Sequence, residues 1–301
     1  MKTLIIYFSQ TGYTRQAAEL IRDGIVEVTG QCELTTMADV DTNKLVDYDL
    51  VGLGCPVFYY QEPFNVRDFI DGLPDLKDKH WFVFCSHGSV MGITLNSMSE
   101  RLQKKGVIVV GYYDMYADAT LAFIPYPTLT TGHPDSVDLE TAHVFGREIA
   151  GRNQRIVAGE KNLIPAPEPV DEEWVQNANF FSREILDQIM PRIQLDRDSC
   201  TNCLDCQNNC PVNGIDIEAD PPRLQTPCIY CYYCVEVCPV YALDSDWEAM
   251  ESMNPDHYAR LREWLDKAVA KGEFRFLMDP DSLDFDNTLR KQWERQRKGK
   301  K

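Results

Sequence analysis

Eight of the chain's eleven cysteines fall into two dense groups, CTNCLDCQNNCP from Cys200 and CIYCYYCVEVCP from Cys228. Each has the spacing C-x2-C-x2-C-x3-C-P. The two match at an offset of 28 residues, Cys200 to Cys228, through every cysteine, the following Pro-Val, and Asp216 and Asp244. The unit is an internal duplication. Zinc sites built from four cysteines normally use two C-x2-C pairs joined by a spacer. A third cysteine at the same interval, a proline after the fourth and a second copy of the whole point instead to cubic iron–sulfur centres. Three closely spaced thiolates grip three corners of one cube, and the fourth, one helical turn on, points away toward a neighbouring cube. This reading assigns one [4Fe-4S] cluster to Cys200, Cys203, Cys206 and Cys238, and the other to Cys228, Cys231, Cys234 and Cys210.

A second constellation is YFSQTGYT, residues 7 to 14, at the end of the apolar run TLIIYF and before a periodic segment. A turn from strand to helix points backbone N–H groups and the positive end of a helix dipole at one place, where an anion binds. Ser9, Thr11 and Thr14 add hydroxyl donors, and Gly12 permits close backbone approach. The turn has no Lys or Arg, no G-K-[ST] ending and no G-x-G-x-x-G, so it is neither a P-loop nor a dinucleotide fingerprint.

The elements that must carry these sites alternate. TLIIYF (3 to 8), CELTTM (32 to 37), YDLVGLG (48 to 54), HWFVFC (80 to 85) and GVIVVGYY (106 to 113) read as strands, separated by helical segments of which DLETAHVFGREIAG (138 to 151) is the last. Such alternation implies a parallel sheet covered on both faces. Residues 112 to 138 form a long connection rich in Tyr, Pro and Gly. The proline-rich NLIPAPEPV then reads as a linker, and DEEWVQNANFFSREILDQIM as one helix of about five turns packed between the two halves. NPDHYARLREWLDKAVAKG is bounded as a helix by Asn, Pro and Gly. The end, RKQWERQRKGKK, holds seven Lys or Arg and one Glu, and reads as a solvated tail or as a docking segment for an acidic partner or anionic lipid.

The first turn closely resembles the phosphate loop [S/T]-x-T-G-x-T of flavodoxins, and residues 1 to 151 follow that family's β/α order. The cysteine repeat resembles two-[4Fe-4S] bacterial ferredoxins over roughly 55 residues. Together they resemble flavodoxin–ferredoxin fusion proteins over about 250 of the 301 residues. The resemblance implies an α/β chain: a flavodoxin-like doubly wound five-stranded parallel sheet in the order 2-1-3-4-5, followed by a small α+β two-[4Fe-4S] ferredoxin domain. The expected divisions are 1–151 for the FMN domain, 152–191 for linker and helix, 192–248 for the clusters and 249–301 for a helical extension with the basic tail. FMN phosphate is expected on Ser9, Gln10, Thr11, Gly12, Tyr13 and Thr14, held by neutral donors, which accounts for the missing lysine. Ligands of this strand order lie beyond the carboxyl ends of strands 1, 3 and 4. Cys55, Pro56, Val57, Phe58, Tyr59 and Tyr60 are therefore expected along the flavin ring, with Ser86, His87 and Gly88 at its polar edge. Cys85 ends the fourth strand nearby, and the long connection at 112 to 138 either covers the flavin or faces the ferredoxin half. Tyr232, Tyr233 and Tyr241 depart from the small residues usual around such clusters; aromatic cover favours the less charged state of a cube.

The expected function is electron relay between FMN, two [4Fe-4S] clusters and redox partner proteins, a low-potential donor and an acceptor enzyme. Two alternatives stand beside it: reduction of a small quinone or nitro acceptor at the flavin, and an FMN-free docking module carrying a ferredoxin. No catalytic side-chain constellation or NAD(P)H site is evident. A formal charge of −17 argues against nucleic acid and suits a partner with a basic docking face. No apolar run approaches the roughly 18 residues that span a bilayer, and the start lacks the pattern of a signal peptide, so the expected location is cytoplasmic.

Overall fold

The computed structural model describes residues 1–167 and 169–298. Its chain divides into two compact units. One comprises Met1–Asp118 and Gly132–Phe181, the other Ala119–Thr131 and the chain from Ser182 on.

In the first unit five parallel strands, β1 (Thr3–Tyr7), β2 (Glu33–Thr36), β3 (Leu50–Pro56), β4 (His80–His87) and β5 (Ile108–Tyr116), lie in the order β2-β1-β3-β4-β5. This is the flavodoxin-like order that the resemblance implies. Helices α1 (Tyr13–Thr29) and α4 (Ser136–Val157) bury Ile21, Ile25, Phe145 and Ile149 on one face of the sheet against Ile5, Phe82 and Phe84. Helices α2 (Phe64–Gly72) and α3 (Thr94–Lys104) complete the layer order, with Met98 and Leu102 of α3 fully buried. The α1–α4 crossing is a backbone contact. A Cβ at Gly24 would lie 2.1 Å from the His143 carbonyl oxygen, and one at Gly146 2.2 Å from that of Ile21. Gly24→Ala is expected to cost about 1–3 kcal/mol by overpacking, despite alanine's better helix propensity; urea unfolding measures it.

Two boundaries differ from the sequence reading. Helix α4 passes Gly151 and ends at Val157, because Asn153 and Ile156 are buried and keep the next turn on the core. The single helix expected over residues 171 to 190 is two, α5 (Glu172–Phe180) and α6 (Arg183–Ile189). Ser182 between them is extended, and its hydroxyl accepts from the Ile185 N–H at 3.3 Å. A serine that can cap a new helix competes with continuing the old one. Helix α5 groups with the first unit and α6 with the second.

The second unit holds a two-stranded antiparallel ladder, β6 (Gln194–Leu195) with β7 (Leu243–Asp244), and two short helices, α7 (Asp205–Asn208) and α8 (Tyr233–Glu236). After α9 (Glu248–Ser252), helix α10 (Asn254–Lys271) ends on Gly272. Burial, aided by the charge of Arg260, pushes the His257 imidazole down from 6.5 to about 4. The unfolded chain therefore takes a proton that the folded chain refuses between those values, and stability falls as pH drops through that window. The thermal midpoint is expected to fall further from pH 7 to 5 in the parent than in His257→Gln, by the equivalent of about 1–2 kcal/mol.

The basic end is no free tail up to residue 298. It forms α11 (Leu289–Lys298), in which Arg290 reaches Asp244 at 3.2 Å, Lys291 reaches Glu251 at 3.2 Å, and Trp293 lies parallel to Tyr241 with ring centroids 6.3 Å apart. Acidic partners on β7 and α9 and one aromatic contact hold it in place. Residues 299–301 of that basic segment lie outside the described residues.

Candidate functional site

Two candidate sites follow, one at the carboxyl edge of the parallel sheet and one in the duplicated cysteine region. In the first, β1 runs into the turn Phe8–Gly12 and on into α1. Gly12 precedes the helix at φ 99°, a left-handed conformation, and a Cβ there would meet nothing within 4 Å, so backbone geometry and not crowding calls for glycine. The first turn of α1 carries no acidic residue to oppose an anion. The Thr14 hydroxyl is buried and bonded to that of Ser86 at 2.7 Å, which ties the turn to the end of β4. Ser9, Gln10, Thr11 and Tyr13 share this turn. A neutral donor-rich cradle at a helix start, with glycine in the required conformation, fits a phosphate group.

The parallel register sets Cys55 beside Cys85 and Pro56 beside Ser86, and the Val57 N–H donates to the Ser86 carbonyl at 3.0 Å. Pro56, Val57, Ser86 and His87 thus meet at one edge. Cys55 and Cys85 are completely buried, and burial pushes both thiols well above their ordinary range. The Cys55 sulfur sits 3.5 Å from that of Met98, so its side chain faces α3.

Phe58 to Gln61 form a tight antiparallel turn, with reciprocal backbone bonds of 2.9 and 3.1 Å. Both central residues, Tyr59 at φ 52° and Tyr60 at φ 66°, are left-handed, the geometry of a type I′ turn in residues that disfavour it. Helix α5 holds it there. Tyr60 packs on Trp174 at 5.3 Å and on Phe181 at 5.9 Å, Tyr59 on Phe181 at 5.6 Å, and the Gln61 amide donates to the Ala178 and Phe181 carbonyls at 3.1 and 3.0 Å. Tyr59 and Tyr60, both half-buried, are thus braced by α5 and the Phe181 that follows it, contacts the linker's composition did not announce. Below the turn, the fully buried Glu62 receives Arg67 at 3.0 Å, Arg101 at 3.1 Å and Ser97 at 2.9 Å, all on one oxygen.

His87 is buried with both ring nitrogens engaged, Nδ1 at 2.9 Å from the Gly88 carbonyl and Nε2 at 3.0 Å from Asp114. The carbonyl and the carboxylate fix the ring between the ends of β4 and β5. Burial pulls the Asp114 carboxyl up, but the hydrogen bond and charge of His87 overcome it and hold the carboxyl below its ordinary range. Tyr116 meets His87 edge-on at 4.6 Å and lies 6.1 Å from His133, itself paired with Asp138 at 2.5 Å. Sequence reading missed Asp114, Tyr116, His133 and Asp138. Acidic residues at a strand end and in the first turn of a helix look like ordinary surface until the fold pairs them.

In the second unit the duplication is visible in the backbone. Left-handed residues recur at Asn202 and Tyr230, Leu204 and Tyr232, and Asn213 and Tyr241, each pair separated by the repeat offset, and α7 and α8 occupy equivalent places. The sulfurs are equivalent too. Cys200 and Cys228 accept from the N–H two residues on, at 3.4 and 3.2 Å, and Cys210 and Cys238 from the N–H four residues on, at 3.1 and 3.2 Å. Such bonds stabilise thiolate sulfur. Cys206 has Cys238 and Cys203 as near thiols, and Cys234 has Cys231, Cys228 and Cys210, with Cys206 of the first run after them. Cys210 therefore stands with the first three cysteines of the second run, and Cys238 with Cys206 of the first. Cys210, Cys228, Cys231 and Cys234 line one pocket together with Pro211 and Tyr232.

Burial first, and then the neighbouring thiols, push Cys234 well above its ordinary range. Such a crowd of sulfurs ionises only beside positive charge, and that fits an iron–sulfur cube. Among the described residues no three His, Cys, Asp or Glu side chains converge on the position of a single metal ion, and no helix is long and apolar enough to cross a membrane.

Comparison with known proteins finds a known domain over each region. The family model of the flavodoxin domain matches residues 4–107, and that of the 4Fe-4S dicluster domain matches residues 192–239. A flavodoxin from Maridesulfovibrio salexigens is 34% identical over 119 residues, covering 36% of this chain and 82% of that protein. One from Clostridium beijerinckii is 27% identical over 149 residues, 48% of this chain and 97% of that protein. Among solved structures, oxidised flavodoxin 2 from Bacillus cereus matches at 24% identity over 50% of this chain and 99% of that one, with a TM-score of 0.42. The chain belongs to the flavodoxin family in its N-terminal half and carries a 4Fe-4S dicluster domain after it. It is an electron-transfer flavo-iron–sulfur protein: the first domain implies FMN, the second iron–sulfur clusters, and both imply redox partner proteins.

Proposed function

We propose that the chain relays electrons among one FMN, two [4Fe-4S] clusters and partner proteins. Bound FMN exchanges one or two electrons and each cube one, so the set converts between two-electron and paired one-electron transfers. The turn Ser9–Thr14 orients the phosphate by backbone N–H groups and hydroxyls, and the ends of β3 and β4 bound the ring site. Cys200, Cys203, Cys206 and Cys238 hold one cube, and Cys228, Cys231, Cys234 and Cys210 the other, with backbone N–H groups moderating the charge on four of the sulfurs.

The observation that carries this reading is the crossed association of Cys238 with Cys206 and of Cys210 with Cys234, in a chain whose other half is a flavodoxin. Eleven free cysteines suit a reducing compartment, which supports a cytoplasmic location. The acidic surface suits partners with a basic face.

The test is anoxic reconstitution followed by counting FMN, iron and sulfide per chain. About one FMN and two cubes support the relay. Cubes without retained FMN would leave a ferredoxin on a docking module. Fast steady turnover of a small quinone or nitro compound, matching the rate of partner reduction, would make the chain an enzyme in its own right.

A further inference from the structure

The two halves of the cysteine duplication are alike in backbone and unlike in surroundings. Where the first run has Asn202, Leu204 and Asn213, the second has Tyr230, Tyr232 and Tyr241. Tyr232, between two cysteines of the second run, is only 3% exposed. Its hydroxyl donates to the Pro191 carbonyl at 2.9 Å, and its ring meets Trp247 edge-on at 4.8 Å. Phe123 lies over Trp247 at 5.6 Å and edge-on to Tyr232 at 6.3 Å. Trp247 is fixed by its indole N–H, which donates to Asp244 at 2.6 Å.

Phe123 comes from a part of the chain that the flavodoxin order does not require. Residues Ala119–Thr131 follow β5 and precede α4 in sequence, yet they group with the cysteine unit. They are stitched into it by main chain. Leu289 N–H donates to the Ile124 carbonyl at 3.1 Å, Arg290 N–H to that of Ala122 at 3.0 Å, and Tyr126 N–H to that of Asn287 at 2.9 Å. The Asn287 amide returns a bond to Tyr126 at 2.7 Å, and the buried Asn254 donates to the Phe123 carbonyl at 2.7 Å. The segment is thus clamped by the start of α11 and of α10, both in the C-terminal extension for which sequence offered no role.

We infer that Ala119–Thr131 and the C-terminal extension form a wall of the dicluster unit, with Phe123 and Trp247 as positioning residues that hold Tyr232 against the pocket of Cys210, Cys228, Cys231 and Cys234. The wall shields that pocket, whereas the other set, though Cys206 and Cys238 are buried, opens to solvent at the exposed Cys203. A cube bound to four thiolates gains negative charge on reduction, and a dry surrounding favours its less charged, oxidised state. The cube in this pocket therefore has the lower potential of the two, and the pair is ordered. This rests on the assignment of cubes under the proposed function.

The experiment is a redox titration of the anoxically reconstituted full chain, followed by electron paramagnetic resonance, in the parent, Phe123→Ala and Phe123→Leu. In the parent two potentials are expected. Phe123→Ala should raise the lower one by about tenfold in its reduction equilibrium, about 59 mV for a one-electron couple, and leave the upper one in place. Phe123→Leu, which keeps the bulk, should stay close to the parent. Loss of about half the iron in Phe123→Ala, with the rest titrating at the upper potential, supports the wall equally. Both potentials unmoved, or both moved alike, would overturn the inference. If Phe123→Ala loses all its iron, Phe123→Val, a smaller truncation, decides: a rise confined to the lower potential supports the wall, and unmoved potentials refute it. The iron count of the parent separates the two levels, because a parent without two cubes refutes the functional assignment, whereas two cubes with insensitive potentials refute only the wall.

Discussion

Cys238→Ala is expected to erase the same half of the iron–sulfur signal as Cys206→Ala, although the two residues lie in different repeats. Cys206 is nearly buried with Cys203 and Cys238 as its close thiol neighbours. Removing either leaves a cube with three protein ligands, and about half of the iron and sulfide should be lost while FMN stays bound. Cys210→Ala should by the same logic match Cys228→Ala. Iron analysis with spectra of the reduced proteins checks both. If Cys238→Ala instead resembles Cys228→Ala, each run serves its own centre and the crossed assignment is wrong.

The second large effect concerns stability in the flavodoxin domain. Glu62 is fully buried with Arg67, Arg101 and Ser97 on one oxygen, and its other oxygen has no hydrogen-bond partner among the described residues. Glu62→Ala takes the buried carboxylate away from two guanidinium groups, leaving Arg101 on Asp71 and Arg67 on the Gln61 side chain. Breaking a buried ion pair from one side costs about 3–5 kcal/mol. Both arginine side chains keep 24% exposure and regain some water, so the expectation is about 3 kcal/mol, at the low end. Urea unfolding followed by a flavodoxin-domain probe measures it, and FMN should be held more weakly because the turn loses its floor. Glu62→Gln, which keeps shape and one acceptor, should cost less. A Glu62→Ala protein as stable as the parent would mean that the arginines carry the turn without it.

How much of this could be read from sequence depended on whether the signal was local. The cysteine spacing and its duplication are local, and the structure repeats them down to the left-handed residues and N–H to sulfur bonds. The parallel sheet follows from apolar runs alternating with helices, and its strand order from the resemblance of the first turn and of the β/α order to flavodoxins. What escaped was long-range. Tyr59 and Tyr60 read as ring-stacking residues, but their partners Trp174 and Phe181 stand more than a hundred residues later. The engagement of His87 depended on Asp114 at the far end of β5. The basic end read as free because its balancing acids, Asp244 and Glu251, lie in other elements. Ser182 was read as one polar position within a helix, whereas its hydroxyl ends one helix and begins another.

Internal electron transfer is the most direct test of the relay. The reconstituted chain would be mixed anoxically with less than one equivalent of a fast one-electron reductant, and cluster and flavin absorbance followed in time at several protein concentrations. The account predicts that electrons first seen on the clusters appear on FMN at a rate independent of protein concentration. A flavin that stays oxidised, or is reduced at a rate rising with protein concentration, would contradict it.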